Sequence, residues 1–201
     1  MGESADWTES SAIWEVSNGG DLRYKINTTD YSNAPGEGLG TFSIYDQTSY
    51  EIFDFTVECR SDENLATNSL ADYNVVVGYT DDINNYYYIM FNSRESDTKI
   101  FSYLNNTRTT LATYDGAPPI DDNDFHTVRV TYANGTLTAY FDGVELMSVA
   151  VALPEGKIGL GGYNDAASFD DPVVLVPPNV STDKKITFSG NVSFSGSITF
   201  D

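Results

Sequence analysis

The residues best suited to chemistry in this chain are aromatic rings set beside carboxylates and amides. In Asn85-Tyr86-Tyr87-Tyr88-Ile89-Met90-Phe91-Asn92, strict alternation sends Tyr87, Ile89 and Phe91 to one face and Tyr86, Tyr88, Met90 and Asn92 to the other. Asp81 and Asn84 precede this run, Arg94 follows it, and Tyr163-Asn164-Asp165 repeats the grouping of aromatic, amide and acid. Flat rings flanked by such polar groups hold sugars: the ring stacks on the apolar CH face while the polar side chains take the hydroxyls. Tyrosines so placed serve equally as cover for a hydrophobic sheet or as a subunit contact.

A second chemistry is suggested by acids in loops. Asp121-Asp122-Asn123-Asp124 puts three carboxylates and an amide into four residues, and Asp81-Asp82 with Asn84 puts two carboxylates and an amide before the tyrosine run. Hard cations such as calcium want oxygen clusters of this kind, although neither matches an EF-hand and a solvated acidic loop fits the same residues. Asp54 and Glu58 share one face of a strand-like run, as a glycosidase pair would, but Glu51 falls on the opposite face. The single histidine, His126, would complete a Ser/His/Asp triad on paper, yet Asp-Phe-His-Thr-Val-Arg-Val reads as the start of a strand. The single cysteine, Cys59, excludes an intrachain disulfide and a zinc or iron–sulfur centre, and it is expected to behave as a small buried hydrophobe.

Composition narrows the partners. Ten Lys plus Arg against thirty Asp plus Glu give 201 residues a net charge of −20, so nucleic acid and anionic lipid are repelled. The chain is nonetheless 40% hydrophobic, with 14 Tyr, 11 Phe and 2 Trp, which is too apolar for an acidic disordered polymer. No stretch approaches the ~20 apolar residues of a membrane span. Residues 1–6 lack the basic and apolar regions of a signal peptide, which predicts a mature chain or one cut from a longer one. Asn27, Asn105, Asn134, Asn179 and Asn191 each open an Asn-x-Ser/Thr triplet, a pattern that chance also supplies here. Acidity, few lysines and a lone cysteine together point to an extracellular or cell-surface protein.

The elements that must position these residues are strands. Residues 50–60 alternate Phe53, Phe55, Val57 and Cys59 against Ile52, Asp54, Thr56 and Glu58. Similar runs follow at 73–79, 86–92, 98–104, 109–114, 126–132, 136–141, 144–150, 157–162 and 173–176. Asn134-Gly135 and Asp142-Gly143 are the strongest hairpin signals, because both turn residues tolerate positive φ. About ten short strands at hairpin spacing predict an all-β fold, an antiparallel two-sheet β-sandwich.

A family resemblance is carried by six segments in order. They are Ile13-Trp14-Glu15-Val16-Ser17-Asn18-Gly19-Gly20-Asp21-Leu22, Tyr50-Glu51-Ile52-Phe53-Asp54-Phe55-Thr56-Val57-Glu58-Cys59-Arg60 and Asn85-Tyr86-Tyr87-Tyr88-Ile89. Then come Phe125-His126-Thr127-Val128-Arg129-Val130, Leu137-Thr138-Ala139-Tyr140-Phe141-Asp142-Gly143, and Gly156-Lys157-Ile158-Gly159-Leu160 with Phe169-Asp170-Asp171. From Trp7 to Val176 the chain resembles concanavalin A-like, laminin-G-like jelly-roll domains of the carbohydrate-binding-module type. The resemblance implies two stacked antiparallel sheets, one concave, with Tyr86 and Tyr88 on the concave face if the Ile89/Phe91 set is core. It also implies that Asp170 and Asp171 help to hold a structural calcium together with Asp121, Asp122 and Asp124. The Glu-x-Asp-x-(x)-Glu pattern of jelly-roll glycosidases and the Arg-Thr-Glu-Leu and Gln-x-His motifs of alginate lyases are absent.

Two departures from that family carry expectations of their own. Only residues 1–6 precede Trp7, so the family's short opening edge strand is expected to be missing or degenerate. Past Val176-Pro177-Pro178, the segment 177–201 carries Phe188, Phe194 and Phe200 at a six-residue period, a β-forming tail beyond a jelly roll of residues 1–176. The tail is expected to complete a sheet edge in its own sandwich, to be donated to a neighbouring subunit, or to begin a repeat region. Three functions stay open in this order: a calcium-stabilised carbohydrate-binding module with a glycan partner, a structural subunit built by strand donation through residues 185–200, and a small polysaccharide lyase or glycosidase.

Overall fold

The structure, a computed structural model, describes residues 6–10, 14–17, 23–26, 38–64, 71–92, 97–116, 120, 122–163 and 165–176. Arg94, Asn164, Asp121 and the tail 177–201 lie outside them. Fourteen strands are formed: β1 Trp7–Glu9, β2 Trp14–Ser17, β3 Arg23–Ile26, β4 Thr41–Tyr45, β5 Phe53–Ser61, β6 Asp72–Tyr79 and β7 Asn85–Asn92, followed by β8 Asp97–Leu104, β9 Thr107–Asp115, β10 His126–Ala133, β11 Thr136–Phe141, β12 Val144–Ala150, β13 Lys157–Gly162 and β14 Ala167–Leu175. They make two seven-stranded sheets, a first in the order β1-β4-β13-β6-β7-β8-β9 and a second in the order β12-β11-β10-β5-β14-β3-β2. All pairings are antiparallel.

Side-chain alternation explains how the sheets stack. On β5, Phe53, Phe55, Val57 and Cys59 point inward and are buried, while Asp54, Thr56, Glu58 and Arg60 form the outer face of the second sheet. From the first sheet, Tyr73, Val75 and Val77 of β6, Tyr87, Ile89 and Phe91 of β7, and Ile158 and Leu160 of β13 close the same core. Turn chemistry fixes the registers. Asn134 (φ 51°) with Gly135 (φ 73°) links β10 to β11, and Asp142 (φ 47°) with Gly143 (φ 77°) links β11 to β12, the double positive φ that matches strand twist. Between β4 and β13 the spacing needs glycine, because a Cβ on Gly159 would lie 2.6 Å from the Ser43 carbonyl oxygen.

Of the two expectations for the opening strand, missing or degenerate, the structure shows a short strand in place. β1 pairs with β4, Trp7 facing Tyr45, and forms an edge of the first sheet. It is three residues long with two of them exposed, too short to show alternation in the sequence. β2, the Trp14 strand, is an edge of the second sheet, and among the described residues it pairs with β3 alone.

Candidate functional site

An opening in the sandwich begins where β14 changes neighbours. Ala167, Ser168 and Phe169 pair with β3 on one side and with β5 on the other. The register then shifts between Asp170 and Val173, with Asp171 at φ 46° and its amide donating to Asp170 Oδ1 at 3.0 Å. Beyond this bulge, Val173, Val174 and Leu175 continue along β5, and no described strand lies on their other side. A bulge of this kind re-aims a strand and ends its pairing. The two sheets part here around a cleft of about 620 Å³, within the usual size of a ligand site.

Aromatic rings form much of the wall. Trp7, Tyr24, Tyr45, Tyr50, Phe55 and Phe169 line the cleft with Ile158, Leu160, Pro172, Val173 and Val174. Trp7 stands 5.6 Å from Tyr24 at 38° and 5.7 Å from Tyr45 at 61°, so the Trp7 and Tyr45 rings meet edge to face and make a corner. Behind them Trp14 stacks on Tyr24 at 4.7 Å and on Phe169 at 5.8 Å. Polar bonds pin this stack between the sheets: Trp14 Nε1 donates to Thr41 Oγ1 at 2.8 Å, and Tyr24 Oη donates to Glu9 Oε1 at 2.7 Å and lies 2.6 Å from Ser43 Oγ. Burial pushes the Tyr24 hydroxyl well above the usual phenol range, and the Glu9 carboxylate adds to that. Burial, then the neighbouring Tyr45, raises Tyr50 as well. Among the described residues of the lining the acids are Asp6, Asp170 and Asp171, and there is no Lys, Arg or His.

The tyrosines singled out in the sequence sit elsewhere. Tyr86 and Tyr88 do project opposite Tyr87, Ile89 and Phe91, but they are only 1% and 0% exposed and lie in a second apolar cluster with Leu39, Phe42, Ile44, Val76, Met90, Phe101 and Tyr103. The Leu39 amide donates to Tyr86 Oη at 2.9 Å, Tyr88 stacks on Phe101 at 4.9 Å, and Tyr163 packs against the same cluster. Burial raises the Tyr86 hydroxyl and pushes Tyr88 up to about 12, with Arg108 opposing the rise. The expectation of an exposed sugar platform at Tyr86 and Tyr88 is therefore corrected, because this outer sheet face is covered. Asp81 lines a smaller cavity of about 220 Å³ with Thr8, Glu9, Phe42, Tyr79 and Ile83, and binds Lys157 Nζ at 2.6 Å. Lys157 also binds Asp46. Asn84 belongs to the β6–β7 turn, its amide donating to Asp82 Oδ1 at 2.9 Å.

The acids expected to share one cation divide across β5. On the β10 side, Asp122 Oδ1 accepts from the Asp124 amide at 2.9 Å and lies 3.1 Å from His126 Nε2. On the β14 side, Asp170 stands opposite Glu58, and Asp170 and Asp171 line the cleft. Among the described residues, which do not include Asp121, no three His, Cys, Asp or Glu side chains gather as metal ligands. The outer acids of β5 are also engaged: Asp54 binds Arg129 through two bonds of 2.7 Å, and Glu58 Oε1 accepts from Thr127 Oγ1 at 2.7 Å. Cys59 is buried in the core and burial pushes its thiol up, which suits an inert packing residue. Among the described residues no helix is long and apolar enough to cross a membrane.

No family model and no curated protein matches the chain. Solved structures do. The carbohydrate-binding module CBM66 from Bacillus subtilis is similar with a TM-score of 0.68 at 17% identity, covering 84% of this chain and 94% of its own. A glycoside hydrolase family 16 endo-glucanase from Bacteroides ovatus gives 0.59 at 10% identity, covering 87% and 97%. Sheep galectin-11, in complex with glycerol, gives 0.52 at 6% identity, covering 67% and 96%. With the two seven-stranded sheets, these likenesses establish the fold as a concanavalin A-like jelly roll. Fold by itself assigns no chemistry.

Proposed function

We propose that the protein is a non-catalytic extracellular carbohydrate-binding module whose site is the cleft between β14 and the first sheet. One observation carries this reading: a 620 Å³ opening walled by Trp7, Tyr24, Tyr45 and Tyr50, with carboxylates among its lining. Ring faces supply stacking for the CH side of a sugar, and the acidic oxygens accept from its hydroxyls. The similarity in fold to a carbohydrate-binding module and to a galectin in complex with glycerol supports the reading. A glycan array identifies the ligand, and calorimetry on Trp7→Ala and Tyr50→Ala then tests the site. Each substitution should weaken binding about tenfold, ~1.4 kcal/mol, with little loss of thermal stability. Unchanged affinity in both variants rejects the cleft as the site.

A second reading, a structural subunit assembled by strand donation, is favoured by one observation. Past the bulge, β14 offers an edge with no described partner, and Val173, Leu175 and Val176 are exposed there. Edges of this kind accept an added strand. Calcium is a separable part of the first reading, confined to the loop 121–124, whose Asp121 lies outside the described residues.

A further inference from the structure

We propose that the cleft prefers sugars carrying a protonated amine over neutral sugars of the same backbone, and excludes uronates; this rests on the carbohydrate reading above. Trp7, Tyr45 and Tyr50 line the cleft, and their ring faces are the surfaces that a small cation entering it would seek. Ring faces carry negative electrostatic potential and attract ammonium groups, most strongly where water is partly excluded. Asp6, Asp170 and Asp171 bring three carboxylates to the same lining. A neutral sugar uses these groups only as hydrogen-bond acceptors, whereas an ammonium gains charge-assisted bonds and the attraction of the rings together.

The arrangement also works against anions. A uronate carboxylate entering this lining meets Asp6, Asp170 and Asp171, and among the described lining residues there is no Lys, Arg or His to neutralise it. Lys157, next in the chain to Ile158 of the wall, is already bound by Asp46 and Asp81. The net charge of −20 adds a general attraction for cations at every surface, so the local preference must be separated from the global one.

The test uses the full chain and four β-1,4-linked tetrasaccharides: of glucosamine, N-acetylglucosamine, glucose and glucuronic acid. Calorimetry at about pH 5.5, where the amine is protonated, should give the glucosamine oligomer roughly tenfold tighter binding than the glucose oligomer, about 1.4 kcal/mol. The glucuronate oligomer should show no measurable binding. The advantage should shrink as salt rises and vanish near pH 8.5, where the amine is neutral. The double variant Asp6→Asn and Asp171→Asn should lose the preference, and asparagine suits the positive φ of position 171. The double variant Asp115→Asn and Glu145→Gln makes the same change in net charge at exposed positions away from the cleft lining and should keep it. Equal affinity for the amino and neutral oligomers, binding of the uronate, or the same loss in both double variants overturns the inference and leaves the carbohydrate reading standing. Absence of binding by all four, together with a blank glycan array, overturns both.

Discussion

His126 shows how one residue converts strand geometry into pH dependence. Its Nδ1 lies 2.8 Å from Asp142 Oδ2, its Nε2 lies 3.1 Å from Asp122 Oδ1, and its ring stacks on Phe141 at 4.8 Å. Only the imidazolium has a proton on each nitrogen, so both carboxylates favour the charged form. Burial opposes this, but the Asp142 and Asp122 hydrogen bonds prevail and the pKa is raised. Asp122 is correspondingly held below the usual carboxylate range: burial opposes, and the Asp124 amide and His126 prevail. A raised histidine pKa contributes stability that is fully present below the unfolded value of about 6.5 and is lost as pH rises through the folded value. Asp142 also ties the β11–β12 turn to β10, its Oδ1 accepting from the Thr127 amide at 3.0 Å. The melting temperature should therefore fall as pH rises from about 6 to about 8, and His126→Gln should flatten that slope. A wild-type melting temperature that is level across this range rules out the charged clamp. Sequence placed His126 at the start of a strand, but Asp142 is its partner only because β10 and β11 pair.

At the scale of elements, regular alternation and turn chemistry were legible, and covering layers were not. The runs at 73–79, 126–132 and 136–141 and their Asn-Gly and Asp-Gly turns can be read directly, since a period of two and a positive φ are local properties. β4 is harder to read because its inward positions are Thr41 and Ser43, which are buried by bonding to Trp14 and Tyr24. The same limit applies to Tyr86 and Tyr88: alternation gives their face but not what packs over it, here Leu39. Trp7 and Tyr50 were visible as residues, yet their shared cleft depends on β1 meeting β4 and on the bulge in β14. The open half of β14 carries its own prediction. Among the described residues Val173, Val174 and Leu175 pair with β5 alone, and the sequence past Val176 carries Ile186, Phe188, Val192 and Phe194, all at even positions. An alternating segment can pair with that edge and send one face inward, each full burial contributing about 1.5–3 kcal/mol. Truncation after Asn179 should lower the melting temperature or abolish self-association, read by calorimetry and light scattering. A truncated chain as stable as the full one, in the same oligomeric state, removes strand completion as the tail's role.

The whole molecule must fold against its own charge. A net of −20 on 201 residues repels itself most strongly when the chain is compact, and salt relieves this by screening exposed charges over about 8–10 Å at physiological strength. Among the described residues, Asp54 is compensated by Arg129, Asp62 by Arg60, and Asp46 and Asp81 by Lys157. Raising sodium chloride from about 10 mM to about 500 mM should therefore raise the melting temperature. The same argument changes how calcium must be tested, because any divalent salt also screens. A calcium ion held by the loop 121–124 stabilises the folded state by mass action, so calcium chloride should exceed sodium chloride at matched ionic strength, and chelator should remove the excess. Coincident curves for the two salts would assign the acids of that loop to solvation, and leave screening as the sole means by which cations stabilise this fold.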